Sequence, residues 1–562
     1  MKSEAKTSPE IVDGLPKEIT EARDKPSKLN FKASRIIEPI SKLFSDESLT
    51  KKATFNAVAS FLEYASNLLV TFILTPIIVA YLGEYFYGMW QVLNRIVGYI
   101  SPSSGRPTFA LKWTLANQRA STDYEEKRRQ VGNSLIVGLI FLPVMLIAGG
   151  VVTWFVPYWV KAPTQYIWIV RIASALLVSN MILGTVTQIP QSTLQGENMG
   201  YKRMGMSTIL IFAENGLIWL ALYLGWGIIG IAAAAVAATV ISGIFYFWVV
   251  RSYTPWFGVA RPSSESLRKF LGLSWWFSGW NLVMSFLMAS DVVVLGILQS
   301  IESVTSYTLT KYVPETLISV IAIIVFGIIP GLGGIIGTGD LEKASQVRGE
   351  IMAITWWVVT VIGSTILLWN RPFISLWVGA KQYSGTLPNL LIVVLVTQLV
   401  FIRNDASIID VTLRLGQKVI LGLISVTLSI GCAAVAISYF KFGIVGLCIG
   451  ILIGRCVLSL GYPILIGRFL KIHFPSQIKS TLRPLLVTFL IYSIVTTLDF
   501  SHLINAGSGL QGWILFLFGA FSTFIILLPL IFYLGLTGKQ RKNILRRIRA
   551  VIPSRSNRTM GM

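Results

Sequence analysis

Seven basic residues stand inside long apolar runs of this sequence: Arg95, Arg106, Lys112, Arg171, Lys311, Arg403 and Arg455. Six acids share those runs: Glu63, Glu214, Asp291, Glu315, Asp405 and Asp410. A charge facing hydrocarbon without a partner costs about 2.5–3.5 kcal/mol on insertion scales, so each is expected to face an aqueous cavity or a counter-ion. Such groups bind and move charge. The first half of the chain has four of the cations against two acids, and the second has three against four. Arg95 and Lys311 hold nearly equivalent places in the two halves, yet only Lys311 has an acid, Glu315, one helical turn away. A cationic first half suits an anionic ligand, because Arg presents a planar fork that grips phosphate oxygens in pairs. Buried structural ion pairs are the competing reading for Arg95 and Arg106, and the favoured one for Arg403 and Arg455.

A second pattern is neutral. Asn56, Ser60, Glu63, Asn67 and Thr71 recur at four- and three-residue steps, which holds them within about 80° of one helix face. Ser274, Ser278, Asn281 and Ser285 form the same stripe further on. Small polar groups also glue helix to helix in membranes; the symmetric placement and the carboxylate favour cavity lining. Glu63 stands where the other half has Asn281, and three roles compete for it: an internal counter-ion for Arg95 or Arg106 that ligand displaces, a proton- or sodium-coupling group, or a fixed structural counter-ion. Other chemistry is weakly supported. Cys432, Cys448 and Cys456 lie in apolar runs and the only histidines are His473 and His502, which leaves no zinc site of ordinary spacing and no disulfide framework. Asp499 and His502, three apart in a short loop, are a poor catalytic pair.

The elements that position these residues follow from composition. The chain has 562 residues, 54% hydrophobic and 13% charged, far from the balance of a water-soluble domain. A bilayer core about 30 Å thick needs roughly 20 apolar residues per helix. Fourteen such spans are expected, at 55–81, 88–116, 132–156, 166–190, 207–224, 227–250, 272–298, 306–333, 351–369, 386–410, 419–440, 443–466, 484–498 and 512–535. With both termini cytoplasmic, cytoplasmic segments hold 37 of the 48 Lys and Arg and outside loops only Lys161, Arg371, Lys381 and Lys441. Short cytoplasmic loops retain positive charge, which supports this orientation. No cleavable signal peptide is expected at the polar start.

Comparing the chain with itself reveals a repeat at a shift near 218 residues. The two polar stripes align; Phe-Val-Pro-Tyr-Trp-Val-Lys-Ala at 155–162 aligns with Phe-Ile-Ser-Leu-Trp-Val-Gly-Ala at 373–380; Thr193-Leu194 aligns with Thr412-Leu413; and Gly227-Ile-Ile-Gly230 aligns with Gly443-Ile-Val-Gly446. Six spans separate counterparts, so each pair crosses in the same direction and the halves are related by an axis along the membrane normal. The expected fold is all-α and integral to the membrane, with two parallel-repeat six-helix lobes around a central cavity plus a C-terminal helix pair. The divisions are a disordered cytoplasmic tail at 1–52, an N-lobe at 53–251, a cytoplasmic linker at 252–270, a C-lobe at 271–467, spans 13 and 14 at 468–535, and a basic cytoplasmic tail at 536–562. That last tail reads first as a topology signal attracted to anionic lipid.

Asn56, the run Leu74-Thr75-Pro76-Ile-Ile-Val-Ala-Tyr-Leu-Gly83, Tyr87-Gly88-Met-Trp90 and Gly98-Tyr99 together resemble the polysaccharide exporters. These are lipid-linked oligosaccharide (O-antigen-type) flippases of the multidrug/oligosaccharidyl-lipid/polysaccharide (MOP) exporter superfamily. The resemblance covers roughly residues 53–470, and Ser101 to Pro107 departs from the usual pattern. It implies a polyprenyl-diphosphate-linked oligosaccharide moved between leaflets of a prokaryotic plasma (inner) membrane for surface polysaccharide synthesis, without catalysis or cofactor. Its diphosphate would lie against Arg95, Arg106, Lys112, Arg171 and Lys311; the partners would be that substrate, membrane lipid and a glycan polymerase, with no nucleic acid. A cation-coupled multidrug exporter shares the fold, but an anionic cavity would suit it better. An integral-membrane glycan polymerase or ligase would call for a longer outside loop than the 16 residues found here.

Overall fold

The computed structural model describes residues 49–118, 121–197, 199, 204–337, 339–411, 415–498 and 509–551. Residues 1–48 of the expected tail, Thr412-Leu413 of the repeat, and Asp499 with His502 lie outside the described residues. Met1–Ala57 and Val58–Met562 are two compact units, and apart from the start of α1 the second carries everything that follows.

The expected first two spans are two helices that meet at Gly83, whose φ of +73° and ψ of 171° are non-helical; together they are labelled α1 (Leu49–Gly98). The second span then breaks again, as its two prolines require: a 3-10 turn at Ser101–Ser104 ends in left-handed Gly105, and α2 (Pro107–Asn117) starts on a proline that has no N–H to leave unpaired. The remaining N-lobe helices are α3 (Tyr124–Trp159), α4 (Ile167–Thr187), the short α5 (Ile189–Gly196), α6 (Met204–Tyr223) and α7 (Gly227–Tyr253). The C-lobe has α8 (Ser264–Leu298), α9 (Ile301–Gly337), α10 (Leu341–Trp377), α11 (Thr386–Val411), α12 (Leu415–Ser438) and α13 (Gly443–Leu470). After it come α14 (Phe474–Thr497), α15 (Leu510–Gly535) and the basic α16 (Gly538–Val551). Among the described residues, eleven helices are long and apolar enough to cross a membrane. Each expected span falls on a described helix: the first two lie on either side of the Gly83 break, the fifth on α6 and the eighth on α9.

Helix starts follow from local chemistry. Asp123, Ser263 and Asp340 each accept a backbone N–H three residues ahead, from Glu126, Ser266 and Lys343, capping α3, α8 and α10. All three caps fall at turns rich in charge, where side chains compete least with hydrocarbon.

The internal repeat is written into the backbone. α3 and α10 both end at a tryptophan, and two residues later Lys161 and Gly379, counterparts at the 218-residue shift, both have positive φ. Gly227 and Gly443 open α7 and α13 with φ of +55° and +54°. Gly230 and Gly446, three residues on, each lie against an alanine of the preceding helix, Ala221 and Ala436. Corresponding helices pack alike: α4 on α7 in one lobe, α11 on α13 in the other.

Where the lobes meet is unequal from end to end. At the end bearing the Gly83 break, one core joins both lobes, with Met89, Val92 and Leu93 packed among residues such as Leu295, Val304 and Leu447. Towards the other end the cores separate, one belonging largely to the C-lobe and one to the N-lobe with its linker and the start of α8. The joined end is also latched. Thr305 Oγ1 donates to the Glu84 carbonyl at 2.6 Å, Lys381 pairs with Glu84 at 2.9 Å, and Trp377 Nε1 donates to the Phe72 carbonyl at 2.7 Å. Gly88 permits this closure, since a Cβ there would overlap the Ile301 carbonyl oxygen and Thr305 Oγ1. Overpacking typically costs about 1–3 kcal/mol. Gly88→Val is therefore expected to shift the population towards a state parted at this end by roughly 5- to 150-fold. Distances between spin labels at positions 84 and 381 would check it, and an unchanged distribution would refute it.

Candidate functional site

A cavity of about 310 Å³ lies between the lobes, walled by Asn94, Arg95 and Gly98 of α1, by Tyr99 just past its end, and by Asn281, Met284, Ser285, Met288 and Ala289 of α8. Arg95 sits in the last turn of α1 before the chain breaks, and Tyr99 follows one turn on, so both address the same face. Arg95 makes no hydrogen bond and no ion pair among the described residues. The Tyr99 ring stacks on Phe286 of α8 with centroids 4.4 Å apart, while its hydroxyl is enclosed and unpartnered among the described residues. The wall thus offers a guanidinium and a phenol to an incoming acceptor, together with an amide and a hydroxyl from Asn281 and Ser285.

The symmetric position in the C-lobe is arranged oppositely. Lys311 Nζ lies 2.5 Å from Asp291 Oδ2 and 2.8 Å from Glu315 Oε1. Asp291 also accepts from the Tyr307 hydroxyl at 2.7 Å and from the Val292 amide at 2.8 Å. Two carboxylates hold this cation, which leaves Arg95 as the uncompensated member of the pair. Arg95 also lies within the electrostatic field of Asp291.

The other expected binding residues do not converge on the cavity wall. Arg106 and Lys112 flank the Phe109 ring, 5.8 and 6.0 Å from its centroid, and Arg106 Nε is enclosed and unpartnered among the described residues. Arg171 is buried between α3 and α4 in an aromatic clamp, 3.9 Å from the Trp154 centroid and 5.1 Å from that of Trp168, with one hydrogen bond to the Tyr158 hydroxyl at 3.1 Å. Cation–π attraction stands in for a carboxylate here, while Arg171 Nε is enclosed and unpartnered among the described residues.

The stripes divide in the same way. Asn281 and Ser285 face the cavity; Ser274 and Ser278 are buried with unpartnered hydroxyls and are not part of its wall. On α1, Glu63 is partly buried and engaged, and Asn67 is exposed, accepting from Thr71 at 3.2 Å. No ion pair joins Glu63 to Arg95 or Arg106 among the described residues. The side chains of Asn56 and Ser60 lie outside what is described. Arg455 is a structural cross-link, donating to the carbonyls of Leu287 on α8 and Leu395 on α11, so carbonyls replace the expected acid. Arg403, expected in an ion pair, has none among the described residues.

Sequence reasoning counted Asp291 among the membrane acids without assigning it to Lys311, because 20 residues and a helix turn separate them. Tyr99 was within reach, being four residues from Arg95 on one helix face. The geometry makes a sharp expectation for access. In a background with Cys432, Cys448 and Cys456 replaced by serine, cysteines at 281 and 285 should react with a water-soluble maleimide, and one at Trp275, 67% exposed on the same helix, should be shielded by lipid. Equal labelling at all three positions would show that 281 and 285 do not front the cavity.

Comparisons place this geometry. The sequence profile of the family described as "Polysaccharide biosynthesis protein" matches residues 56–334. No curated relative matches the chain in sequence. Among solved structures, the chain is similar to an inward-facing multidrug resistance MATE family transporter of the MOP superfamily, with TM-score 0.57, 18% identity, and 72% of this chain and 94% of that one covered. It is also similar to a MATE protein in complex with MaD3S, with TM-score 0.50, 18% identity, and coverage of 75% and 95%. At these identities the likeness is one of fold.

Proposed function

We propose that this protein, which belongs through residues 56–334 to the polysaccharide biosynthesis family of the MOP exporters, moves a polyprenyl-diphosphate-linked oligosaccharide between leaflets by alternating access. That it is a multi-pass membrane protein with the MOP transporter fold is plain from its helices and its neighbours. The observation that carries the finer reading is Arg95, a guanidinium without a counter-ion on the wall of an interlobe cavity whose symmetric cation is neutralised twice over. A diphosphate supplies the missing charge and the acceptors for Tyr99. Asn281 and Ser285 offer hydrogen bonds to sugar hydroxyls, and the prenyl tail stays in lipid. Arg106 and Lys112, around Phe109, would meet the diphosphate on its way past the break in the second span. Arg171 and Lys311 serve instead through their clamps, by holding α3 to α4 and α8 to α9.

The conformation fits a loading state. Lobes joined at the Gly83 end and parted in their cores at the other present the cavity to the end that bears the capped, basic turns. By the distribution of Lys and Arg this end is cytoplasmic, with both termini on that side; the family resemblance implies that the membrane is a prokaryotic inner membrane. The inward-facing state of the first MATE neighbour supports this reading. Binding then shifts the population towards rocking of the lobes and opening at the opposite end, where a glycan polymerase would take the product.

Reconstitution in liposomes tests the proposal. A fluorescent polyprenyl-diphosphate oligosaccharide placed in one leaflet should become accessible to a membrane-impermeant quencher on the other side, faster than in protein-free vesicles. Transport of organic cations with no transfer of the lipid would assign the protein to drug export.

A further inference from the structure

A crevice in the C-lobe has no part in that cycle. It measures about 820 Å³ and lies between α10, α11, α13 and α14, closed at one mouth by the start of α16. Its walls are largely apolar, with Trp356, Phe401, Leu458 and Leu482 among them, and Ser480, Gln540 and Asn543 add polar groups. At its floor Arg348 is fully used, bound to Asp405 at 3.0 Å and to Gln477 at 2.8 Å. The carboxylates that line it are therefore engaged, Asp405 by Arg348 and Glu350 by another neighbour. One cation, Lys539, stands at the mouth, on a basic helix. α16 carries six basic residues and no acid, with Lys539 at the rim and Lys542 exposed. Arg541 lies over the Tyr533 ring at 5.3 Å, its Nε enclosed and unpartnered among the described residues. Ile544 anchors the helix in a small core with Ala353, Phe532 and Leu536, so α16 is docked onto the bundle.

An apolar slot of ligand-pocket size with a hydrogen-bonding collar that carries a cation is complementary to one amphiphile. We propose that the crevice is a binding site for an anionic phospholipid, with an acyl chain between α10, α11, α13 and α14 and the headgroup phosphate at the Lys539 rim, in the field of the neighbouring α16 cations. The α16 cations then act structurally, recruiting a lipid that wedges the four helices at a fixed spacing. This site lies among helices of the C-lobe and α14, apart from the α1–α8 cavity, and it stands whether or not the protein carries a lipid-linked glycan.

The test is lipid retention. Purified protein is equilibrated in nanodiscs with equal amounts of phosphatidylglycerol and phosphatidylcholine, re-extracted into detergent, and its bound lipid quantified by mass spectrometry. Each basic residue near an anionic surface favours it by a factor of about five, so wild type should retain phosphatidylglycerol at least about five-fold over phosphatidylcholine. Gly349 lines the crevice, and a Cβ there would meet nothing within 4 Å, so Gly349→Phe should fill the slot and abolish retention of both lipids. Lys539→Glu and Lys542→Glu together should bring the preference to parity; this exposed pair carries the test should the first variant fold poorly. Equal retention of both lipids by wild type overturns the proposal, as does unchanged preference in the charge-reversed protein. Displacement of phosphatidylglycerol by a polyprenyl phosphate also overturns it, assigning the slot to an isoprenoid tail; no displacement is the expected result.

Discussion

Arg95→Ala is expected to weaken binding of a polyprenyl-diphosphate glycan by about 10- to 150-fold, the worth of one charge-assisted hydrogen-bond pair at roughly 1.5–3 kcal/mol. Folding should be almost untouched. The reason is the environment: the guanidinium has no ion pair or hydrogen bond among the described residues, so its removal strands no carboxylate and opens no network. Arg95→Lys keeps the charge but not the fork, and should recover only part of the loss. Leaflet transfer and direct binding, both normalised to folded protein, would measure these effects. Wild-type transfer by Arg95→Ala would remove the site from the mechanism. The Tyr99 hydroxyl provides an internal control, since Tyr99→Phe keeps the stack on Phe286 and deletes only the unpartnered donor. Its effect should be smaller than that of Arg95→Ala and should fall on binding.

Lys311→Ala is expected to do the opposite, destabilising the protein by about 3–5 kcal/mol, because breaking a buried ion pair leaves the surviving charge uncompensated. Asp291, with its side chain 5% exposed, would keep only the Tyr307 hydroxyl and the Val292 amide. The prediction separates charge from packing. In Lys311→Met combined with Asp291→Asn no charge of the inner pair remains, and most of the lost stability should return, since apolar or neutral replacement of a whole buried pair is often nearly neutral. Thermal unfolding in detergent, followed by tryptophan fluorescence, would read both variants. If the double variant is no more stable than Lys311→Ala, the cost lies in lost packing around the ammonium, and the network is not electrostatic in origin.

These two arginine and lysine positions show how far spacing alone carries an argument. Glu315 is one turn from Lys311 on the same helix, so geometry along α9 made their pairing legible, and it is present at 2.8 Å. Asp291 belongs to the preceding helix, and no periodicity links it to Lys311. Arg171 reads as a membrane cation in need of an anion; its partners are instead three rings on α3 and α4, whose faces stand in for one. Arg455 likewise finds main-chain carbonyls, groups that carry no sequence signature. The break at Ser101 to Pro107 was legible because proline lacks a donor and glycine tolerates positive φ, both properties of single residues. Gly83 likewise ends the first span's helix through a positive φ, two residues past the expected limit at 81.

By itself, the sequence determined that the chain lives in a membrane and crosses it many times, that its halves are copies running the same way, and that one copy carries the less compensated charge. Those are consequences of hydrocarbon thickness, the helical rise, charge cost and self-similarity, all of which act along the chain. Only the tertiary structure decided which end is latched, that Arg95 and not its four companions fronts the interlobe cavity, that Asn281 and Ser285 line it while Ser274 and Ser278 do not, and that a lipid-sized crevice opens under α16. Each of these depends on which helices become neighbours and how they rotate against one another. Rotation of a helix by a few tens of degrees moves a side chain from lipid to cavity at almost no change in hydrophobic pattern, so packing across helices settles what spacing along them leaves open.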